Sequence, residues 1–135
     1  VHACYTDIPA LFGERGLIDN TWPYLSASNA MEYPPIIGLG NWLISFLVPS
    51  EDSYRWFFDL NVLLLIVCFI AIGFLLRKMK PEHTYLFPLA PAVIASLFIN
   101  WDLWAVITLL LSIYYFDQKK YDASAIALAI SISTK

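Results

Sequence analysis

Three short clusters carry the side chains best suited to chemistry: Tyr5-Thr6-Asp7, Glu32-Tyr33-Pro34-Pro35 and Asn100-Trp101-Asp102. Each sets a carboxylate beside aromatic or hydrogen-bonding groups, and each lies at the end of an apolar run. A carboxylate so placed can take a proton from a hydroxyl, orient a polar substrate or ligate a hard cation. Taken together, the clusters imply an enzymatic site at a membrane surface. Each also has a plainer explanation. Asp7 precedes Ile8, Leu11, Phe12, Leu17 and Ile18, the spacing of an amphipathic interfacial helix, so it sits near an N-cap with Pro9 in the first turn. Pro34-Pro35 starts a helix well, and an acidic residue ahead of it suits the helix dipole. Asn100 and Asp102 can form a turn and a cap, with Trp101 in an interface belt. Asp59 and Asn61 stand at the start of an apolar span, where they can reach headgroup water.

The elements that must position these groups follow from composition. Hydrophobic residues make up 59% of the 135 and charged ones 14%, with a mean hydropathy of +0.64. Such values lie outside the range of soluble globular domains and predict an integral membrane protein, all-α and polytopic. The clearest span runs from Phe57 to Leu76 and ends in Arg77-Lys78-Met79-Lys80; about 20 residues at 1.5 Å each cover a hydrocarbon core of roughly 30 Å. A second stretch, Tyr85 to Ile99, is kinked by Pro88 and Pro91. Leu103 to Phe116 is a third, and Ala123 to Ser133, rich in Ala and Ser, begins a fourth suited to close packing. The domain plan is an external loop over residues 1–56 followed by a transmembrane region over 57–135. The chain opens without an initiator Met or signal-peptide pattern and stops just after an apolar run, so it reads as a fragment with further portions on both sides.

Basic residues mark the cytoplasmic side of a membrane protein. Arg77, Lys78 and Lys80 form one joint, Lys119 and Lys120 another. Two helices separate them, so both fall on one face, and Asn100-Trp101-Asp102, Arg55 to Asp59 and Lys135 fall on the other, outer face. Ile36 to Val48, bounded by prolines, reaches only about 20 Å as a helix, too short to cross. It is expected to be interfacial or re-entrant, with Gly38, Gly40 and Asn41 packed closely on other helices. On that reading Val1 to Asp59 stays outside and the three clusters share a face. Cys4 in the loop cannot pair with Cys68 deep in a span. With only His2 and His83 and no CxxC motif, no metal site of His and Cys is expected, while a carboxylate-bound cation stays open. No basic patch interleaved with aromatics indicates nucleic acid.

The order Cys4-Tyr5-Thr6-Asp7-Ile8-Pro9, Arg15-Gly16-Leu17, Pro23-Tyr24, Glu32-Tyr33-Pro34 and Asn100-Trp101-Asp102-Leu103, ending in Thr134-Lys135, resembles glycosyltransferase family 87, membrane mannosyltransferase-like enzymes of the GT-C fold found in actinobacteria. The resemblance covers nearly the whole chain. It implies transfer of a sugar, typically mannose, from a polyprenyl-phosphate donor to a glycolipid or polysaccharide acceptor at the outer face of the cell membrane. No nucleotide sugar or other cofactor is implied, in keeping with the absence of a phosphate-cradling Gly-rich loop. Asp7 maps to the acidic residue taken as the base, and Glu32 and Asp102 match acidic motif positions.

A carboxylate suits that role because an acceptor hydroxyl is a poor nucleophile until its proton is taken, and partial desolvation can tune an Asp for the task. A single displacement opposite the phosphate inverts the anomeric centre. The departing phosphate needs cationic groups, for which Arg15 and Lys135 are the outer-face candidates, although Arg15 can also be an exposed charge beside Glu14. Tyr5, Trp22, Tyr24, Tyr33 and Trp101 can stack on sugar rings or anchor at headgroup depth, anchoring being the simpler role for Trp22 and Trp101. The expected site is thus Asp7 as base, with Arg15, Tyr24, Glu32, Tyr33, Asn100, Asp102 and Lys135 binding substrate; the segment alone is expected to be inactive. Two other classes compete: a lipid or solute transporter, whose acids belong mid-span, and a non-catalytic membrane subunit whose polar loop docks a partner.

Overall fold

A computed structural model describes residues 5–26, 30–79, 82 and 84–135. His2, Cys4, Lys80 and His83 lie outside the described residues, and with them the disulfide and histidine expectations. Among the described residues all regular structure is helical.

Helix α1 spans Asp7–Glu14. The cap expected of Asp7 belongs to Thr6, whose extended backbone lets its hydroxyl accept from the Ile8 amide at 3.4 Å. That hydroxyl also donates to the Phe98 carbonyl at 2.7 Å, and the Asp7 amide donates to Ile99 O at 2.8 Å. Only a hydroxyl can both accept and donate in this way; a carboxylate cannot. The expected helix from Ile8 to Ile18 is shorter than its apolar spacing suggests. Gly16, left-handed at φ 74°, ends it, and Leu17–Asp19 continue as a 3-10 turn. The buried Ile8, Leu11, Phe12 and Leu17 face the core, Phe12 stacking on Phe57 at 4.3 Å.

Helix α2, Pro35–Ser45, opens on the two prolines. As its sequence suggests, its small residues meet other elements: a Cβ on Gly38 would collide with the Tyr24 ring, and one on Gly40 with Trp104. Asn41 is fully buried. The start of α2 is bonded to the end of α7 (Ile36 N–H to Ser133 O, 3.2 Å), and its other end leads through residues 46–52 into α3. Both ends of α2 therefore lie at the same end of the helical layer.

That layer consists of α3 (Ser53–Met79), the short α4 (Leu86–Leu89) and α5 (Pro91–Ser96), α6 (Asp102–Asp117) and α7 (Tyr121–Ile132). Among the described helices, α3 alone is long and apolar enough to cross a membrane. Its 27 residues extend about 40 Å, against about 24 Å for the 16 of α6. The kink expected from Pro88 and Pro91 is a full break, because Ala90, ahead of Pro91, is driven to extended backbone with ψ 121°. Helices α6 and α7 form an antiparallel hairpin laced by serines. Ser124 Oγ lies 3.1 Å from Ser112 Oγ and donates to Ser112 O, while Ser131 donates to Ala105 O at 2.9 Å. Such small polar residues permit the close backbone approach expected of this segment.

Trp101 Nε1–H donates to Asn61 Oδ1 at 2.7 Å near one end of α3 and α6, and Lys78 Nζ lies 6.0 Å from the Tyr114 ring centre near the other. The two helices therefore run parallel, with Arg77 and Lys78 at the same end as Lys119 and Lys120, opposite the acidic clusters.

Candidate functional site

At the acidic end lies a cavity of about 720 Å³, lined by Tyr5, Asp7, Glu14, Arg15, Glu32, Tyr33 and Lys135 among others. Its walls come from α1, from the Glu32–Pro34 bend and from the end of the α6–α7 hairpin. With Thr6 serving as the cap, the Asp7 carboxylate is spared that duty and projects from the first turn of α1. Tyr33 donates its hydroxyl to Asp7 Oδ2 at 2.6 Å, within the range of charge-assisted O–H···O⁻ bonds.

The Tyr33 ring is held on several sides. Trp101 packs edge-on against it at 5.2 Å and 87°, and Lys135 Nζ sits 5.8 Å from its centre. Behind it, Tyr24 shares its hydroxyl proton between the carbonyls of Tyr33 at 2.7 Å and Pro34 at 2.9 Å, pinning the bend. Burial, and then the bond to Asp7, push the Tyr33 hydroxyl far above the ordinary tyrosine range, so it remains a donor. The Tyr5 hydroxyl is raised by its hydrogen bond to Asp7 and by the nearby carboxylate charge. Tyr24 is raised by burial.

Both cations are matched with carboxylates. Arg15 pairs with Glu32 and is largely buried, its side chain 17% exposed against 67% for Glu32. The alternative role for Arg15, an exposed charge beside Glu14, does not describe this arrangement. Lys135 pairs with Asp102, both about half exposed, in an ion pair worth at most about 1 kcal/mol. Asp102 therefore reaches the cavity through its partner.

Besides Asp102, which lines the same separate cleft as Asn100, two expected site residues stand apart from the cavity. Tyr24 lies behind the Tyr33–Pro34 bend. Asn100 accepts from the Asp102 amide at 3.1 Å, the turn-forming role, and faces a separate cleft of about 230 Å³ between α5 and α6. Trp101, expected as an interface anchor, is instead 1% exposed. Asn61, expected near headgroup water, is fully buried; besides accepting from Trp101 it donates to Phe57 O at 3.0 Å. Its partner is 40 positions away in sequence, and the one available signal was the cost of an amide within a span. Trp22 packs edge-on with Tyr24 and Trp42 at 5.5 and 5.3 Å.

Among the described residues, no three His, Cys, Asp or Glu side chains converge so as to hold a metal ion. The cavity's inventory is the Asp7 carboxylate hydrogen-bonded to tyrosine, the Glu14 and Glu32 carboxylates, two cations already facing anions, and tyrosine hydroxyls. That set suits proton transfer from a hydroxyl beside an anionic group. No family model, curated protein or solved structure matches this chain.

Proposed function

We propose that the chain is part of a polytopic membrane glycosyltransferase, with the segments 57–76, 85–99, 103–116 and 123–133 as four spans and the cavity at the outer face of the cell membrane. It transfers a sugar, mannose by the family resemblance, from a polyprenyl-phosphate donor to a hydroxyl of a glycolipid or polysaccharide. Asp7 takes the acceptor proton as the acceptor oxygen bonds to the anomeric carbon. The bond from that carbon to the phosphate oxygen breaks on the opposite face, inverting the centre, and the polyprenyl phosphate departs with the electron pair.

The observation that carries this reading is the convergence of Asp7, Arg15, Glu32, Tyr33 and Lys135, drawn from distant parts of the sequence, on one cavity. A departing phosphate can take the places that Glu32 and Asp102 hold against Arg15 and Lys135, because neither carboxylate is buried. The two carboxylates are then free to orient sugar or acceptor hydroxyls. The basic joints at the far end agree with an outer cavity.

The test is transfer of tritium from polyprenyl-phosphate mannose into lipid or polysaccharide in membranes carrying the full-length protein. Asp7→Asn should lower the rate by about a hundredfold or more, the scale of a general base, while expression stays intact. Turnover at the unsubstituted rate would remove Asp7 from the mechanism.

A further inference from the structure

The cavity contains a group whose geometry exceeds what binding a sugar requires. Tyr33 donates its hydroxyl to Asp7 Oδ2 at 2.6 Å, and both residues line the cavity. A tyrosine ring has little freedom once its plane is fixed, and here the plane is fixed by two independent holds. Trp101, 1% exposed, packs edge-on against it at 5.2 Å and is anchored by its own N–H to Asn61 Oδ1 at 2.7 Å. Tyr24 ties down the Tyr33 carbonyl. Asn61 belongs to the long helix α3 and is fully buried. A continuous series of contacts thus runs from the most regular element of the fold to the candidate base.

We propose that Tyr33 is a positioning residue for Asp7: held by Trp101 and Asn61, its hydroxyl fixes the carboxylate rotamer so that Oδ1 is the oxygen turned toward the acceptor hydroxyl. This rests on the reading of Asp7 as base. The physical reason is that a carboxylate at the start of a helix rotates about two side-chain bonds, whereas proton abstraction needs one oxygen within hydrogen-bond reach of the nucleophile. A donor that keeps its proton serves better than water, because it occupies Oδ2 without competing for the acceptor.

Tyr33→Phe removes one oxygen and keeps the ring. In membranes bearing the full-length protein, with tritiated polyprenyl-phosphate mannose as probe, it should lower kcat by about tenfold to a hundredfold, a part of the roughly hundredfold to ten-thousandfold a general base supplies. KM for the donor should stay unchanged. In an Asp7→Asn background, Tyr33→Phe should add nothing, since a residue that acts only through Asp7 has no further effect once Asp7 is disabled. Full activity of Asp7→Asn would sink the base assignment and the positioning role with it. An inactive Asp7→Asn beside a fully active Tyr33→Phe overturns the positioning role alone, as does a further loss in the double variant, which would place Tyr33 on substrate.

A second readout needs no substrate. In a Tyr5→Phe background, which removes the other tyrosine hydroxyl bonded to Asp7, the infrared difference spectrum of Asp7→Asn against the Asp7 protein should contain a shifted tyrosine C–O band that is missing when Tyr33→Phe is added. A spectrum without that band overturns the proposal.

Discussion

Replacing Asn61 with Leu, alone and together with Trp101→Phe, exposes how the fold supports its cavity. Asn61 and Trp101 are 0% and 1% exposed and share one hydrogen bond of 2.7 Å. Leu has nearly the shape of Asn, and the Phe57 carbonyl that Asn61 Nδ2 contacts keeps its place in the helical ladder of α3. The main cost of Asn61→Leu is therefore a buried indole N–H without an acceptor, about 1–3 kcal/mol. Trp101→Phe strands the Asn61 oxygen at similar cost and also loses ring packing. With both replaced, neither polar atom remains to be stranded. The double variant should be more stable than the sum of the two single effects by about 1–3 kcal/mol. Unfolding of the purified protein in bicelles, followed by tryptophan fluorescence over a denaturant series, measures this coupling. Additivity within about 0.5 kcal/mol would show that the two side chains do not depend on each other and would refute the reasoning.

Gly38→Ala places a methyl group against the Tyr24 ring and should destabilise the protein by about 1–3 kcal/mol, an overpacking cost. Thermal melts would measure it, and Tyr24→Leu in the same chain should relieve part of the loss; no relief would contradict the close approach of α2 to Tyr24. Alkaline pH should destabilise the protein through Tyr33. Its folded value lies above the ordinary 10.0, so the folded state holds the proton more tightly than the unfolded chain. The stabilisation this confers is complete below about pH 10 and fades as pH rises through the folded value. Melting temperatures between pH 9 and 11.5 should fall more steeply for the unsubstituted protein than for Tyr33→Phe; parallel curves would contradict the raised value.

The elements legible in the sequence were those governed by local chemistry. Pro34-Pro35 opened a helix, Pro91 broke one through the residue ahead of it, and the serines and alanines of 123–133 packed closely on a neighbour. Charge was readable in part, since Arg77 and Lys78 do lie at one end with Lys119 and Lys120. The errors came where two local solutions competed or where a partner was distant. Thr6 and Asp7 are both good caps, and the choice fell to Thr6 because its hydroxyl could also donate to Phe98 O. The helix begun at Asp7 stopped early because Gly16 took a left-handed conformation that the apolar spacing of Leu17 and Ile18 concealed. Asn61 and Trp101 each looked like groups seeking the interface, and only folding brought them together in the core. Of the expected site, the residues meeting at the cavity were legible as motifs, whereas the supporting roles of Tyr24 and Asn100 depended on backbone geometry that motifs do not encode.

The bonds from Thr6 to Phe98 O and from Asp7 N–H to Ile99 O have a consequence for assembly. They join the start of α1 to a turn more than 90 positions downstream, and Lys135 adds the cavity's basic wall only after the α6–α7 hairpin has doubled back. The start of α1 therefore gains these partners only after the later helices are in place. The cavity is complete only when residues 98–135 have packed against the start of α1, so its geometry depends on contacts distant in sequence.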